Sequence, residues 1–95
     1  MGPGKIDLPK AAAGTEVDLG NPWQVVLFND EVHSFDEVIL QIQKATGASL
    51  EKAAELTLRV HHKGRAVVFY GPRDACLRVA GILQQIQLTA EVERT

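Results

Sequence analysis

The chain is 95 residues long, 45% hydrophobic and 23% charged, with a formal net charge of −2 and a single cysteine. This length suits one small domain with a modest core, and the slightly acidic balance gives no electrostatic case for a nucleic-acid partner. A lone cysteine excludes a disulfide framework or a cysteine-based zinc site; no apolar run reaches signal-peptide or membrane-spanning length, so a cytoplasmic protein without a membrane partner is expected.

Residues 1–22 hold Gly2, Pro3, Gly4, Pro9, an Ala11-Ala12-Ala13-Gly14 run and Gly20-Asn21-Pro22, with no sustained hydrophobic period. That composition predicts a flexible N-terminal tail, either without a role or handled by another protein. Trp23 to Phe28 (WQVVLF) is a β-prone apolar run and predicts a strand covered on one face and partly shielded on the other. Ser34-Phe35-Asp36-Glu37 then forms a capping box. Phe35, Val38, Ile39, Ile42 and Ala45 follow at helical spacing until Gly47 stops the helix. A second helix opens near Ser49, with Leu50, Ala53, Ala54, Thr57, Leu58 and His61 along one broad face and Gly64 at its end. Arg65 to Tyr70 predicts a second strand, and Gly71-Pro72 turns the chain with Pro72 suited to the first position of a third helix. Ala75, Cys76, Val79, Ala80, Ile82, Leu83 and Ile86 form the buried stripe of that helix. Leu88 to Glu93 alternates apolar and polar residues, as a half-buried closing strand does. The order β-α-α-β-α-β predicts an α+β fold over residues 23–95, with three helices on one face of a small three-stranded, mainly antiparallel sheet.

Chemistry concentrates at two polar corners. Asn29-Asp30-Glu31 lies where the first strand stops, a place where folds display functional side chains on rigid supports. One carboxamide and two carboxylates form an acceptor cluster suited to a cation or a protonated amine. The plainer alternative is a turn whose Asn and Asp bond to their own backbone. His61-His62-Lys63-Gly64 forms the second corner, where a histidine can also serve simply as partner to the last helical carbonyls. Phe35 either staples the first helix to the core or rims an apolar hole beside the acceptor cluster. His33, His61, His62 and Asp30 offer metal-ligand chemistry, but without the dense spacing of a zinc-enzyme motif. No nucleophile elbow, phosphate loop or paired-carboxylate signature is present, so no catalytic residue and no cofactor are expected. Cys76 falls on the apolar stripe of the third helix, where a structural thiol is the default.

Two stretches, Val25-Val26-Leu27-Phe28-Asn29-Asp30-Glu31 and Val60-His61-His62-Lys63-Gly64-Arg65-Ala66, together resemble the ClpS family, whose members carry N-degron substrates to the Clp AAA+ protease. The resemblance covers about residues 23 to 93 and implies the same β-α-α-β-α-β order. It implies that Asn29, Asp30 and His61 bind a substrate α-amino group, with Phe35, Val38, Thr57, Val60 and Leu88 around a hydrophobic pocket for a Leu, Phe, Tyr or Trp side chain. It also implies a protease-facing patch at Arg78 with Arg73 or Asp74, a ClpA- or ClpC-like ATPase as partner, and engagement of the unfoldase by the tail.

Several residues depart from the family pattern. Glu31 stands for the usual second Asp, and His33-Ser34 for the common Thr-Pro, which implies a less rigid loop and a pH-sensitive group. Phe35 and Thr57 stand at positions often held by Met, the latter smaller and polar, and imply a reshaped pocket. Two other readings fit parts of the pattern: an interaction module like the ribosomal stalk C-terminal domain without an amine pocket, and a small metal-dependent enzyme using His33, His61 and Asp30.

Overall fold

A computed structural model describes residues 22–95, so the tail expected over 1–22 lies outside the described residues but for Pro22. The elements run β1 (Trp23–Phe28), α1 (Phe35–Thr46), α2 (Leu50–Lys63), β2 (Arg65–Gly71), α3 (Arg73–Gln84) and β3 (Ala90–Arg94). The strands form one sheet in the order β2-β1-β3, with both pairings antiparallel. The α+β class and the expected element order are therefore observed.

Strand alternation turns Val25 and Leu27, both fully buried, toward the helices, which cover one face of the sheet. Leu27 is paired with Ala66 on one side and Ala90 on the other. These small neighbours leave the central leucine to fill the space under the helices with Ile42, Val79 and Leu83. The register of β1 with β2 shifts between Val25 and Val26, whose partners are Phe69 and Val67. Val68 is the extra residue of that bulge, and it lets both Val68 and Phe69 join the core side.

Helix ends follow the local chemistry. Ser34 caps α1 in a full capping box: its Oγ accepts from Glu37 N at 3.1 Å, and its own N–H donates to Glu37 Oε1 at 2.8 Å. Gly47 and Gly64 end α1 and α2 in the left-handed region. At Gly64, with φ 87°, an added Cβ would meet nothing within 4 Å. A Gly64→Ala change is therefore resisted by the backbone alone and is expected to cost about 1–2 kcal/mol, read as a lowered denaturant midpoint with unchanged slope.

Four details differ from the sequence expectation. The buried face of α2 is Ala53, Leu56, Thr57 and Val60, whereas Leu50 and Leu58 are 60% and 46% exposed. The 53-56-57-60 spacing gives one stripe; Leu50 stands at the exposed helix entry, and Leu58 is rotated off it. His61 continues the stripe but is exposed. In α1 the buried set includes Gln41, whose amide donates to the Ile82 carbonyl oxygen at 2.6 Å, while Phe35 is 41% exposed. Pro72 has ψ 161°, which makes it the cap of α3 and leaves the first helical position to Arg73. The last helix stops at Gln84, short of Ile86, and β3 opens at Ala90, although the Thr89 carbonyl already accepts from Phe28 N at 3.0 Å.

Candidate functional site

Because β1 is central and both neighbours run antiparallel to it, its exit lies beside the entries of β2 and β3. The chain segments just outside the sheet there are the 29–34 loop, the end of α2 and the end of the α3–β3 connection. Backbone hydrogen bonds hold them together: Asn29 N–H donates to the Gly64 carbonyl at 2.9 Å, beside the Phe28–Thr89 bond. The two polar corners of the sequence therefore meet.

Between them opens a cavity of about 120 Å³, approaching the roughly 150 Å³ at which an engineered apolar cavity takes up benzene. Asn29, Asp30, Glu31, His33 and His61 supply its polar lining, and Phe35, Val38, Thr57, Val60 and Leu88 the rest. Every amine-site and pocket residue named from the sequence is thus on one cavity. Val38, Thr57, Val60 and Leu88 are buried. Thr57 is less polar than its identity suggests, because its hydroxyl donates back to the Ala53 carbonyl at 2.8 Å. The Phe35 ring meets His61 edge-on with centroids 5.1 Å apart, so these two half-frame the mouth.

Asp30 organises the loop around itself. Its Oδ1 accepts from the backbone N–H of Val32 at 2.9 Å and of His33 at 3.0 Å, and its Oδ2 lies 2.8 Å from His33 Nδ1. The turn-forming role considered for Asp30 is therefore real, and it coexists with a place on the cavity. The His33 amide, above all, holds the Asp30 carboxyl below its ordinary range. In the opposite sense, the Asp30 carboxylate, ahead of the Ile86 carbonyl, raises the His33 imidazole above its ordinary range. The loop that the His33-Ser34 substitution implied to be less rigid is thus tied at several points. The Asp-x-x-His spacing was visible in the sequence, but the contact of His33 Nε2 with the Ile86 carbonyl spans 53 residues and was not.

Among the described residues, no three His, Cys, Asp or Glu side chains are grouped to hold a metal ion. Cys76 is buried, with burial raising its thiol, and its Sγ lies 3.6 Å from the Gly71 carbonyl, as suits a structural residue. The protease-facing residues named from the sequence stand apart from the cavity. Arg73 lies over the Trp23 ring, 5.6 Å from its centroid, at the β1 end remote from Asn29. Asp74 turns back to accept from Ala75 N at 2.9 Å, and Arg78 is exposed farther along α3. No helix among the described residues is long and apolar enough to cross a membrane.

An α+β domain with a cavity of polar and apolar lining where three chain connections converge defines a small recognition module. The model of the family described as ATP-dependent Clp protease adaptor protein ClpS matches residues 19–91, and the chain belongs to that family. It is 37% identical over 76 residues to the ATP-dependent Clp protease adapter protein ClpS of Streptomyces avermitilis, covering 76% of this chain and 72% of that one. To the protein of the same name from Nocardia farcinica it is 41% identical over 68 residues, covering 70% of this chain and 64% of the other. The structure of Agrobacterium tumefaciens ClpS2 bound to L-phenylalaninamide is similar in fold, with a TM-score of 0.74 at 20% identity over 80% of this chain and 99% of that one. The chain is accordingly a Clp protease adaptor of the ClpS family and not an enzyme.

Proposed function

We propose that the cavity binds the first residue of a protein with a free α-amine and a bulky hydrophobic side chain, and that the adaptor delivers such N-degron proteins to a ClpA- or ClpC-like AAA+ unfoldase. The observation that carries this reading is that one small cavity is lined both by polar acceptors and by buried apolar residues. A protonated amine has three N–H donors, and Asn29, Asp30 and His61 supply three acceptors of matching number. Phe35, Val38, Thr57, Val60 and Leu88 receive the side chain, whose burial is worth about 1.5–3 kcal/mol. Hydrogen bonds to the charged amine add about 1.5–3 kcal/mol each. After the cost of association these support roughly micromolar or somewhat tighter binding, from which cargo can still be released.

The ligand of the Agrobacterium relative is in keeping with this reading, since L-phenylalaninamide has a free α-amine and no carboxylate. Arg73, Asp74 and Arg78 are assigned to the unfoldase, with residues 1–22 as the tail that engages it and 23–95 as the adaptor core. Arg73 and Asp74 sit at the far end of β1 from the cavity, so cargo and unfoldase need not compete for the same surface. A fluorescent peptide beginning with Phe is expected to bind the full chain, and its N-acetylated twin to be rejected. Equal binding of the two removes the amine from the mechanism.

A further inference from the structure

His33 joins two walls of the cavity that come from distant parts of the chain. Its side chain is only 10% exposed; Nδ1 lies 2.8 Å from Asp30 Oδ2, and Nε2 lies against the Ile86 carbonyl oxygen. A carboxylate and a carbonyl can only accept, whereas a neutral imidazole has a single N–H. One ring nitrogen of a neutral His33 would then point its lone pair at an oxygen. Only the imidazolium satisfies both contacts. Ile86 precedes Gln87, which stands in the left-handed region at φ 71°, and the next residue is Leu88, on the cavity wall.

We infer that His33, as an imidazolium, is a positioning residue for the amine site, bracing the Asp30 carboxylate to the α3–β3 connection so that the charged acceptor and the Leu88 wall keep one spacing. The inference rests on the reading of the cavity as a first-residue site. With Oδ1 taken by two backbone N–H groups and Oδ2 by the ring, the brace leaves Asp30 about one free acceptor direction, on Oδ2. The imidazolium therefore fixes where the carboxylate can receive an amine, at some cost to its net charge. The charged groups acting on His33 are Asp30 in its own loop and Glu37 in the first turn of α1, while the α3–β3 connection contributes the Ile86 carbonyl. All of these favour the proton. Since the folded value is raised, the stabilisation from the brace is present in full below about 6.5 and is lost as pH rises through the raised value. On the acid side the contribution of Asp30 is lost as pH falls through its depressed value.

The test uses the full chain labelled with ¹⁵N in its histidine rings. Ring nitrogen shifts in the free protein, from about pH 5 to about pH 9, are expected to show His33 doubly protonated to well above the ordinary value of 6.5. The Leu88 methyl resonances are expected to move in the same titration. His33→Asn keeps a donor near Asp30, and His33→Gln keeps one near Ile86, so each retains half of the brace. Both are expected to weaken binding of a Phe-initiated peptide about tenfold at mildly acid pH, with the difference from wild type shrinking as His33 deprotonates. The peptide's own amine titrates in all three experiments and cancels in that ratio. A His33 ring that is neutral at its ordinary value, or an affinity ratio flat with pH while the wild type binds, overturns the inference alone. Failure of the wild type to bind at any pH overturns the amine-site reading and the positioning role with it.

Discussion

Asp30→Ala is expected to abolish binding of Phe- or Leu-initiated peptides, with a loss of about a hundredfold or more in affinity. Two roles are removed together, because Asp30 both faces the cavity and accepts the Val32 and His33 amides that shape the loop. Asp30→Asn separates them. The carboxamide oxygen can still accept those amides, so the entry to α1 is kept, while the negative charge facing the amine is gone. Its expected loss is the charge-assisted contact together with the His33 contact on Oδ2, about ten- to a hundredfold. Circular dichroism should report an intact fold for both variants, since the Ser34–Glu37 box holds the helix start without Asp30. Peptide anisotropy checks the prediction directly, and wild-type affinity in Asp30→Asn would place the amine elsewhere.

The apolar half of the cavity differs in kind from what the residue names suggest. A threonine among pocket residues reads as a polar intrusion, yet the Thr57 hydroxyl gives its proton to the helix carbonyl of Ala53. The difference between Thr57 and a methionine at that position is then chiefly one of volume. Phe35 has the reverse character: a large apolar residue that is 41% exposed and rests its ring against His61. Both residues line the cavity, so the ring contact ties an apolar part of the lining to a polar one. On the proposed reading, cargo preference is set by the small wall residue Thr57 and the stiff rim at Phe35.

Patterns of period 2 and 3.6 made the six elements legible, because the helices each bury one stripe and α1 and α2 stop at glycines in the left-handed region. The β1 run, the Ser34 box and the two glycine stops all lie where local chemistry dictates. The buried face of α2 was legible only in part, since Leu50 and Leu58 are apolar but lie outside the stripe that the sheet covers. The cavity residues are identified through a family resemblance; residue chemistry alone leaves Asn29 and Asp30 open between an amine-binding acceptor cluster and a turn, and gives His61 a helix-end role as its plainer reading. What joins them is the antiparallel central position of β1, expressed in the Asn29–Gly64 bond. The bond from His33 to Ile86 had no local signal, because it depends on how closely α3 approaches the first loop.

Core and cavity are linked through the folded state, because a ligand that binds only the folded chain offsets destabilisation anywhere in the core, Leu27 included. This fully buried side chain ends two residues short of Asn29, between Ala66 and Ala90, neighbours too small to close a void. Leu27→Ala is expected to cost about 2–5 kcal/mol out of a total that is only about 5–15 kcal/mol for an ordinary domain. At roughly 4–8 °C per kcal/mol for a domain this small, the melting midpoint should fall by on the order of 10–30 °C. A ligand that binds only the folded state at a hundred times its Kd returns about 2.7 kcal/mol. A Phe-initiated peptide should therefore recover much of the lost midpoint, and its N-acetylated twin should recover none. Adding Asp30→Ala should remove the recovery, because the rescue passes through the amine contact and not through nonspecific apolar binding. Equal rescue by both peptides would mean that the cavity senses the side chain alone.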